Sequence, residues 1–168
     1  KAFLTLAVIG AGPTGVEMAG AIAELTHQTL RNDFSSISPK QSRIVLIEGG
    51  DSLLPSFHEK LSEKAKKDLQ KMGVEVLTQC LVKDIKENSL ILETPNGVEI
   101  LEAANVIWAA GIRAVAFSEI LQSATGAELD KFNRIKVDGN LAIPGHPEIL
   151  IAGDMACVGH GEGKTVPM

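Results

Sequence analysis

The chain has 168 residues, enough for one hydrophobic core or for one domain and part of another. Hydrophobic residues make up 45%, charged residues 22%, and the net charge is −5, an ordinary balance for a globular chain. Nucleic acid is excluded as a partner, because no basic stripe interleaved with aromatics is present and the lysines of 60–71 alternate with acids as on a solvated helix face.

Thr5-Leu6-Ala7-Val8-Ile9 is a short apolar run that stops at glycine, and it predicts a buried parallel strand. A helix is expected from Pro13 to Leu30, with Val16, Ala19, Ile22 and Ala23 at helical spacing and Pro13 in its first turn. Residues 31–42, with Ser35, Ser36, Ser38 and Pro39, read as a loop. Arg43-Ile44-Val45-Leu46-Ile47-Glu48 is a second strand, ended by Gly49-Gly50. Ser56 and Glu59 have capping-box spacing, which predicts a helix with Leu61, Ala65, Leu69 and Met72 on one face and Gly73 as its stop.

Val74 to Thr78 is a third strand. Residues 81–86, 89–94 and 97–101 then read as short strands with turns at Asn88-Ser89 and Pro95-Asn96-Gly97, a β-meander in place of a crossover helix. Ala104-Asn105-Val106-Ile107-Trp108-Ala109 is a fourth parallel strand. Beyond Arg113, residues 117–131 read as a short helix and loop, and Ile135–Asp138 and Ile149–Ala152 as strands. The fold class is therefore α/β, a Rossmann-like parallel sheet with a β-meander crossover.

Gly10-Ala11-Gly12-Pro13-Thr14-Gly15 follows a buried strand and opens a helix, the context in which a G-x-G-x-x-G run binds the pyrophosphate of a dinucleotide. Gly10 serves the tight turn, Gly12 the approach of backbone to phosphate, and Gly15 the packing of helix on strand. Glu48 ends the second strand, where a carboxylate accepts hydrogen bonds from the adenosine ribose and repels a 2′-phosphate. No Arg or Lys stands in residues 49–54, so NAD(H) is expected rather than NADP. Glu48 lies 33 residues after Gly15, against the usual spacing of about 20; the long helix and the loop at 31–42 account for the excess. Glu17 has two readings, a charge favouring the positive helix end or a group facing the nicotinamide. Gly153-Asp154 ends a strand with a carboxylate suited to a polyhydroxyl chain, or simply forms a turn.

Gly163-Lys164-Thr165 resembles the end of a P-loop but lacks its first glycine, since Val158 stands there. The four histidines have no metal-ligand spacing, so no metal site is expected. Cys80 and Cys157 form no C-x-x-C pair; unreacting thiols in a reducing compartment are expected. No apolar run approaches the roughly 18 residues of a spanning helix, and no signal peptide is visible.

Val8-Ile9-Gly10-Ala11-Gly12-Pro13-Thr14-Gly15-Val16-Glu17, followed by Ala23-Glu24-Leu25, closely resembles the NAD segment of type II NADH dehydrogenases, single-chain flavoprotein NADH:quinone oxidoreductases. Leu53-Leu54-Pro55-Ser56-Phe57, Trp108-Ala109-Ala110-Gly111-Ile112 and Ala152-Gly153-Asp154-Met155-Ala156 are similar to that family in the same order. The resemblance implies Glu17 near the nicotinamide, backbone of Ala110 and Gly111 beside it, and Asp154 on the ribityl chain of FAD. It implies hydride transfer from NADH to FAD and electrons passed to a quinone, in a cytoplasmic enzyme held on the inner face of the cell membrane.

The chain starts at Lys1 and enters an apolar strand almost at once, the expectation for a piece of a longer protein. Residues 1–113 are expected to be an NAD(H)-binding domain and 114–168 part of an FAD-binding domain. The rest of the FAD site, the quinone segment and the membrane-attaching helices would lie in segments outside the chain, so the fragment alone is expected to bind NADH and to hold no FAD. Open sheet edges leave a homodimer as one arrangement. Two alternatives stand beside the main reading: another flavoprotein of this architecture, such as a ferredoxin, nitrite or disulfide reductase, and a non-catalytic NAD(H) sensor.

Overall fold

A computed structural model of the chain describes residues 2–26, 42–111, 113–160 and 164–166. The chain divides into two compact units, Lys1–Ala110 and Gly111–Met168.

In the first unit β1 (Thr5–Ile9), β2 (Arg43–Ile47), β3 (Val74–Leu77) and β7 (Asn105–Trp108) form a parallel sheet in the order β3-β2-β1-β7. Ile9 pairs with both Ile47 and Trp108, so the strands finish level at one edge, where ligands of open α/β sheets bind. Their apolar runs are continuous because both faces are covered. Val8, Ile44, Leu46 and Val74 pack with Ala19, Ala23 and Leu69 of α1 (Pro13–Glu24) and α2 (Glu59–Lys71). The alternate residues Ala7, Ile9, Val45 and Ile47 pack with Leu90, Leu92 and Leu101 of the meander. Each fully buried Leu or Ile contributes roughly 1.5–3 kcal/mol.

The meander is an antiparallel sheet of β4 (Leu81–Lys86), β5 (Ser89–Thr94) and β6 (Gly97–Glu102), standing where a crossover helix usually stands. Its first turn is Glu87-Asn88, with Ser89 already in β5, and its second is Pro95-Asn96, after which Gly97 (φ +116°) opens β6.

α1 buries Gly15, Ala19 and Ala23, small residues at four-residue spacing that let it lie close on the sheet. Its α-helical span is Pro13–Glu24, and Leu25 keeps helical backbone angles (φ −56°, ψ −49°); the remainder of the expected helix past residue 26 and the loop at 31–41 lie outside the described residues. α2 begins two residues later than its capping-box spacing predicts. Leu53 is fully buried, and the Phe57 N–H donates to the Leu54 carbonyl at 2.8 Å, so Ser56 belongs to that turn. His58 is the N-cap instead, its Nδ1 accepting from the Lys60 N–H at 3.3 Å. The buried face shifts with it, leaving Leu61 exposed and Ser62 buried. Gly73 (φ +88°) stops the helix as expected.

In the second unit α3 (Phe117–Thr125) is followed by β8 (Ile135–Val137), β9 (Ala142–Ile143), β10 (His146–Leu150), β11 (Ala156–His160) and β12 (Lys164–Val166). β11 pairs parallel with β8 and antiparallel with β12, while β9 and β10 form a separate antiparallel pair. The strand expected at 149–152 is centred earlier, and β9, β11 and β12 are additional to the expected elements. Ile135, Ile143, Ile151, Ala127 and Ala156 form the core. Asp130 closes the turn before β8: it accepts the backbone N–H groups of Phe132 and Arg134 at 2.8 and 2.9 Å and pairs with the Arg134 guanidinium at 2.6 Å. Burial pushes this carboxyl up, but the bonds from Arg134 and Phe132 outweigh it and hold it below the ordinary aspartate value.

Candidate functional site

The three glycines after β1 have different reasons to be glycine. Gly10 sits at φ +97°, its N–H donating to the Ile47 carbonyl at 2.7 Å, and a Cβ there would meet Ala110 atoms at 2.7–2.9 Å. A Cβ on Gly15 would lie 1.8 Å from the Gly10 carbonyl oxygen, so only glycine lets α1 start this close to the strand. Gly12 is unlike both. Its φ of −69° suits any residue, and a Cβ there would meet nothing within 4 Å. Gly12 is the N-cap of α1, where Ser, Asp or Asn would favour the helix, yet it offers no side chain to cap. Among the described residues nothing in the fold requires glycine at this position, and the backbone there is open to approach from outside.

Pro13 occupies N1 and exposed Thr14 follows it. The Val16 N–H closes the first helical bond to the Gly12 carbonyl at 3.0 Å. The N–H groups before Val16 have no intrahelical carbonyl to reach, and with the helix dipole they present partial positive charge at the open end.

Glu48 ties this loop to the end of β2. Its Oε2 accepts the Ala11 N–H at 2.7 Å and its Oε1 the Gly50 N–H at 2.8 Å. The Ala11 carbonyl accepts the Leu54 N–H at 2.8 Å, so both polar groups of Ala11 are bonded to the segment after β2. A carboxylate has about four lone-pair sites, and the backbone bonds leave capacity for two hydroxyls on a half-buried group.

Glu48 also borders a cleft at the sheet edge, lined by Ile9, Ile47, Cys80, Leu81, Trp108 and Ala110 among others. Among the described residues no Lys or Arg lines it. Burial pushes the Cys80 thiol up, with the Glu99 charge adding to it, so the thiol stays protonated and is wall rather than nucleophile.

Gly10, Gly12, Pro13, Thr14, Gly15, Glu48 and Ala110 are thus brought to one edge of the first unit. Glu17 lies in the second turn of α1, exposed and without a polar partner among the described residues. α1 has no acid in its first turn, where the helix-dipole effect is strongest, and Glu17 stands just beyond it. Gly111 (φ +68°), Gly153 (φ +70°) and Asp154 belong to the second unit. Gly153 opens a 3-10 turn, Gly153–Met155, after β10, and it leaves the Asp154 carboxylate exposed with no described partner. Sequence reasoning missed the backbone bonds of Glu48 and passed over Trp108 and Cys80 as site residues. Trp108 had a signal: it shares strand parity with Val106, on the face the meander covers.

The chain is 40% identical over 156 residues to the type II NADH:quinone oxidoreductase Ndh of Mycobacterium tuberculosis, covering 92% of this chain and 34% of that protein. It is 30% identical to the type II NADH:quinone oxidoreductase of Haemophilus influenzae, covering 98% of this chain and 36% of the relative. The chain therefore spans about a third of the length of the curated relatives it matches. Among solved structures, NDH2 from Plasmodium falciparum in complex with NADH superposes with a TM-score of 0.77 at 27% identity, over 93% of this chain and 32% of that one. A ferredoxin reductase from Rhodopseudomonas palustris shares the fold, with a TM-score of 0.71 at 19% identity over 98% of this chain and 36% of that one. The sequence model of the pyridine nucleotide-disulphide oxidoreductase family matches residues 3–168, and the chain belongs to that family.

Proposed function

We propose that the chain is the NAD(H)-binding portion of an FAD-dependent NADH:quinone oxidoreductase of the type II NADH dehydrogenase kind. The observation that carries this is Gly12, a glycine with no reason inside the fold, at the uncapped start of α1 and next to Ala11, which Glu48 holds. The helix start takes the pyrophosphate, and Glu48 takes the adenosine ribose hydroxyls and disfavours a 2′-phosphate. Glu17 and the backbone of Ala110 and Gly111 serve the nicotinamide end. Residues 1–113 act as the NAD(H) domain, and 114–168 contribute to the FAD domain.

Asp154 fits the flavin role: it is exposed, unpaired among the described residues, and placed on a short turn after a strand. When bound, the flavin accepts the hydride of NADH and delivers electrons to the quinone; the protein supplies position and electrostatics. As in its relatives' names, the acceptor is a quinone. A respiratory-chain enzyme in the cytoplasm, attached peripherally to the inner face of the cell membrane, completes the reading. No helix among the described residues is long and apolar enough to cross a membrane.

The test uses the protein expressed from its intact gene. A flavin absorption spectrum and NADH-dependent reduction of a soluble quinone are expected. Flavin with reduction of a ferredoxin or a disulfide instead would replace the quinone reading. Absence of both flavin and reductase activity would leave an NAD(H) sensor.

A further inference from the structure

Trp108 is the only tryptophan of the chain, it ends the edge strand β7, and it is 59% exposed. Leaving an indole in water forfeits burial of one of the largest apolar surfaces a side chain has. It is nevertheless not a loose surface side chain: its Nε1–H donates to the Ala110 carbonyl at 2.6 Å. That bond pins the ring plane, so the indole is presented in a fixed orientation before any ligand arrives. Trp108 lines the same cleft as Glu48, together with the apolar Ile9, Ile47 and Leu81. An apolar slot with a flat aromatic wall and one carboxylate at its rim matches a planar base joined to a sugar that carries hydroxyls.

We infer that Trp108 is a positioning residue for NADH, its ring forming the wall against which the adenine packs while Glu48 holds the adjoining ribose. The inference rests on the NAD(H) reading of the site. The Ala110 tether acts by preorganisation: a ring already held in place loses little freedom on binding. The contribution is to ground-state binding, because the adenine is remote from the reacting carbon, so it appears in KM and not in kcat.

The test compares wild type, Trp108→Ala and Trp108→Phe in the protein expressed from its intact gene. It measures steady-state NADH oxidation and the affinity for ADP-ribose, which carries the adenosine half without nicotinamide. Trp108→Ala is expected to raise the KM for NADH about tenfold, the size of a base-stacking contact, with kcat within about twofold. ADP-ribose affinity should fall by the same factor. Trp108→Phe keeps a ring without the N–H and should recover most of both losses.

An unchanged KM in Trp108→Ala overturns the inference. So does a Trp108→Phe variant as impaired as Trp108→Ala, which would make the indole N–H a support for the strand end only. Loss of NADH affinity with ADP-ribose unaffected also overturns it, since the contact would then not be with adenine. Wild-type protein that binds neither ligand removes the NAD(H) reading itself, a result distinct from all of these.

Discussion

Glu48 is engaged with the chain's own backbone before any ligand binds, bridging the N–H groups of Ala11 and Gly50. A glutamine there offers a carbonyl to one donor and an amide N–H to the other, so Glu48→Gln disturbs loop and ligand together. The KM for NADH is expected to rise about tenfold and the preference for NADH over NADPH to narrow, read from kcat/KM for each nucleotide. The glycines separate binding from folding. Gly15→Ala forces a Cβ onto backbone oxygen and should cost about 2 kcal/mol or more in denaturant unfolding. Gly12→Ala meets nothing within 4 Å, so it should leave the unfolding midpoint unchanged while weakening NADH binding, measured by calorimetry. At this scale the glycine pattern was legible because steric need leaves a mark on residue type. The Ala11 N–H bond was not, since backbone donors carry no side-chain signature.

The strands of the first sheet were legible as elements because burial on both faces makes parallel strands continuous apolar runs. The start of α2 was not, because burial of Leu53 commits Ser56 to a turn that local spacing does not reveal. Two ion pairs show how position decides worth. Arg43 and Glu75 form a two-pronged pair between β2 and β3, both bonds 2.7 Å, yet their side chains are 44% and 46% exposed. Arg43→Ala is expected to cost less than about 1 kcal/mol. Asp130 and Arg134 are only 12% and 15% exposed, and Asp130 also holds two backbone donors. Asp130→Asn should cost about 3 kcal/mol at neutral pH. The folded-state carboxyl titrates below its ordinary value of 3.8, so its contribution is complete above that value and is lost as the pH falls through the folded one. The difference in melting temperature between wild type and Asp130→Asn should therefore shrink on acidification; a difference independent of pH would contradict this.

The two units of the molecule differ in how they are built and in how far the sequence exposed them. The first rests on strands of four to six residues backed by helices and a meander. In the second, β8 and β12 have three residues each and β9 has two, too few for any periodicity to register. β11, Ala156–His160, carries a glycine and pairs with residues twenty-one positions away, Ala156 with Ile135. With NADH at about a hundred times its dissociation constant, binding adds about 2.7 kcal/mol to whatever unfolds with the site. Hydrogen exchange should show that protection centred on residues 8–15 and 47–54. The 168-residue chain purified by itself should show no flavin absorption band, because Asp154 is the one side chain proposed for that group; a yellow preparation would contradict the proposal.

The contact between Gly10 and Ala110 has a genetic consequence. Most steric clashes can be relieved by a second change that trims the opposing side chain. Here a Cβ at position 10 would meet the Cα and N of Ala110 at 2.8 and 2.9 Å as well as its Cβ, so Ala110→Gly leaves the obstruction in place. A selection for suppressors of Gly10→Ala should return true revertants and none at position 110. The turn at the head of the sheet is fixed by main chain against main chain, and that makes it one of the positions in this chain where mutation has no local remedy.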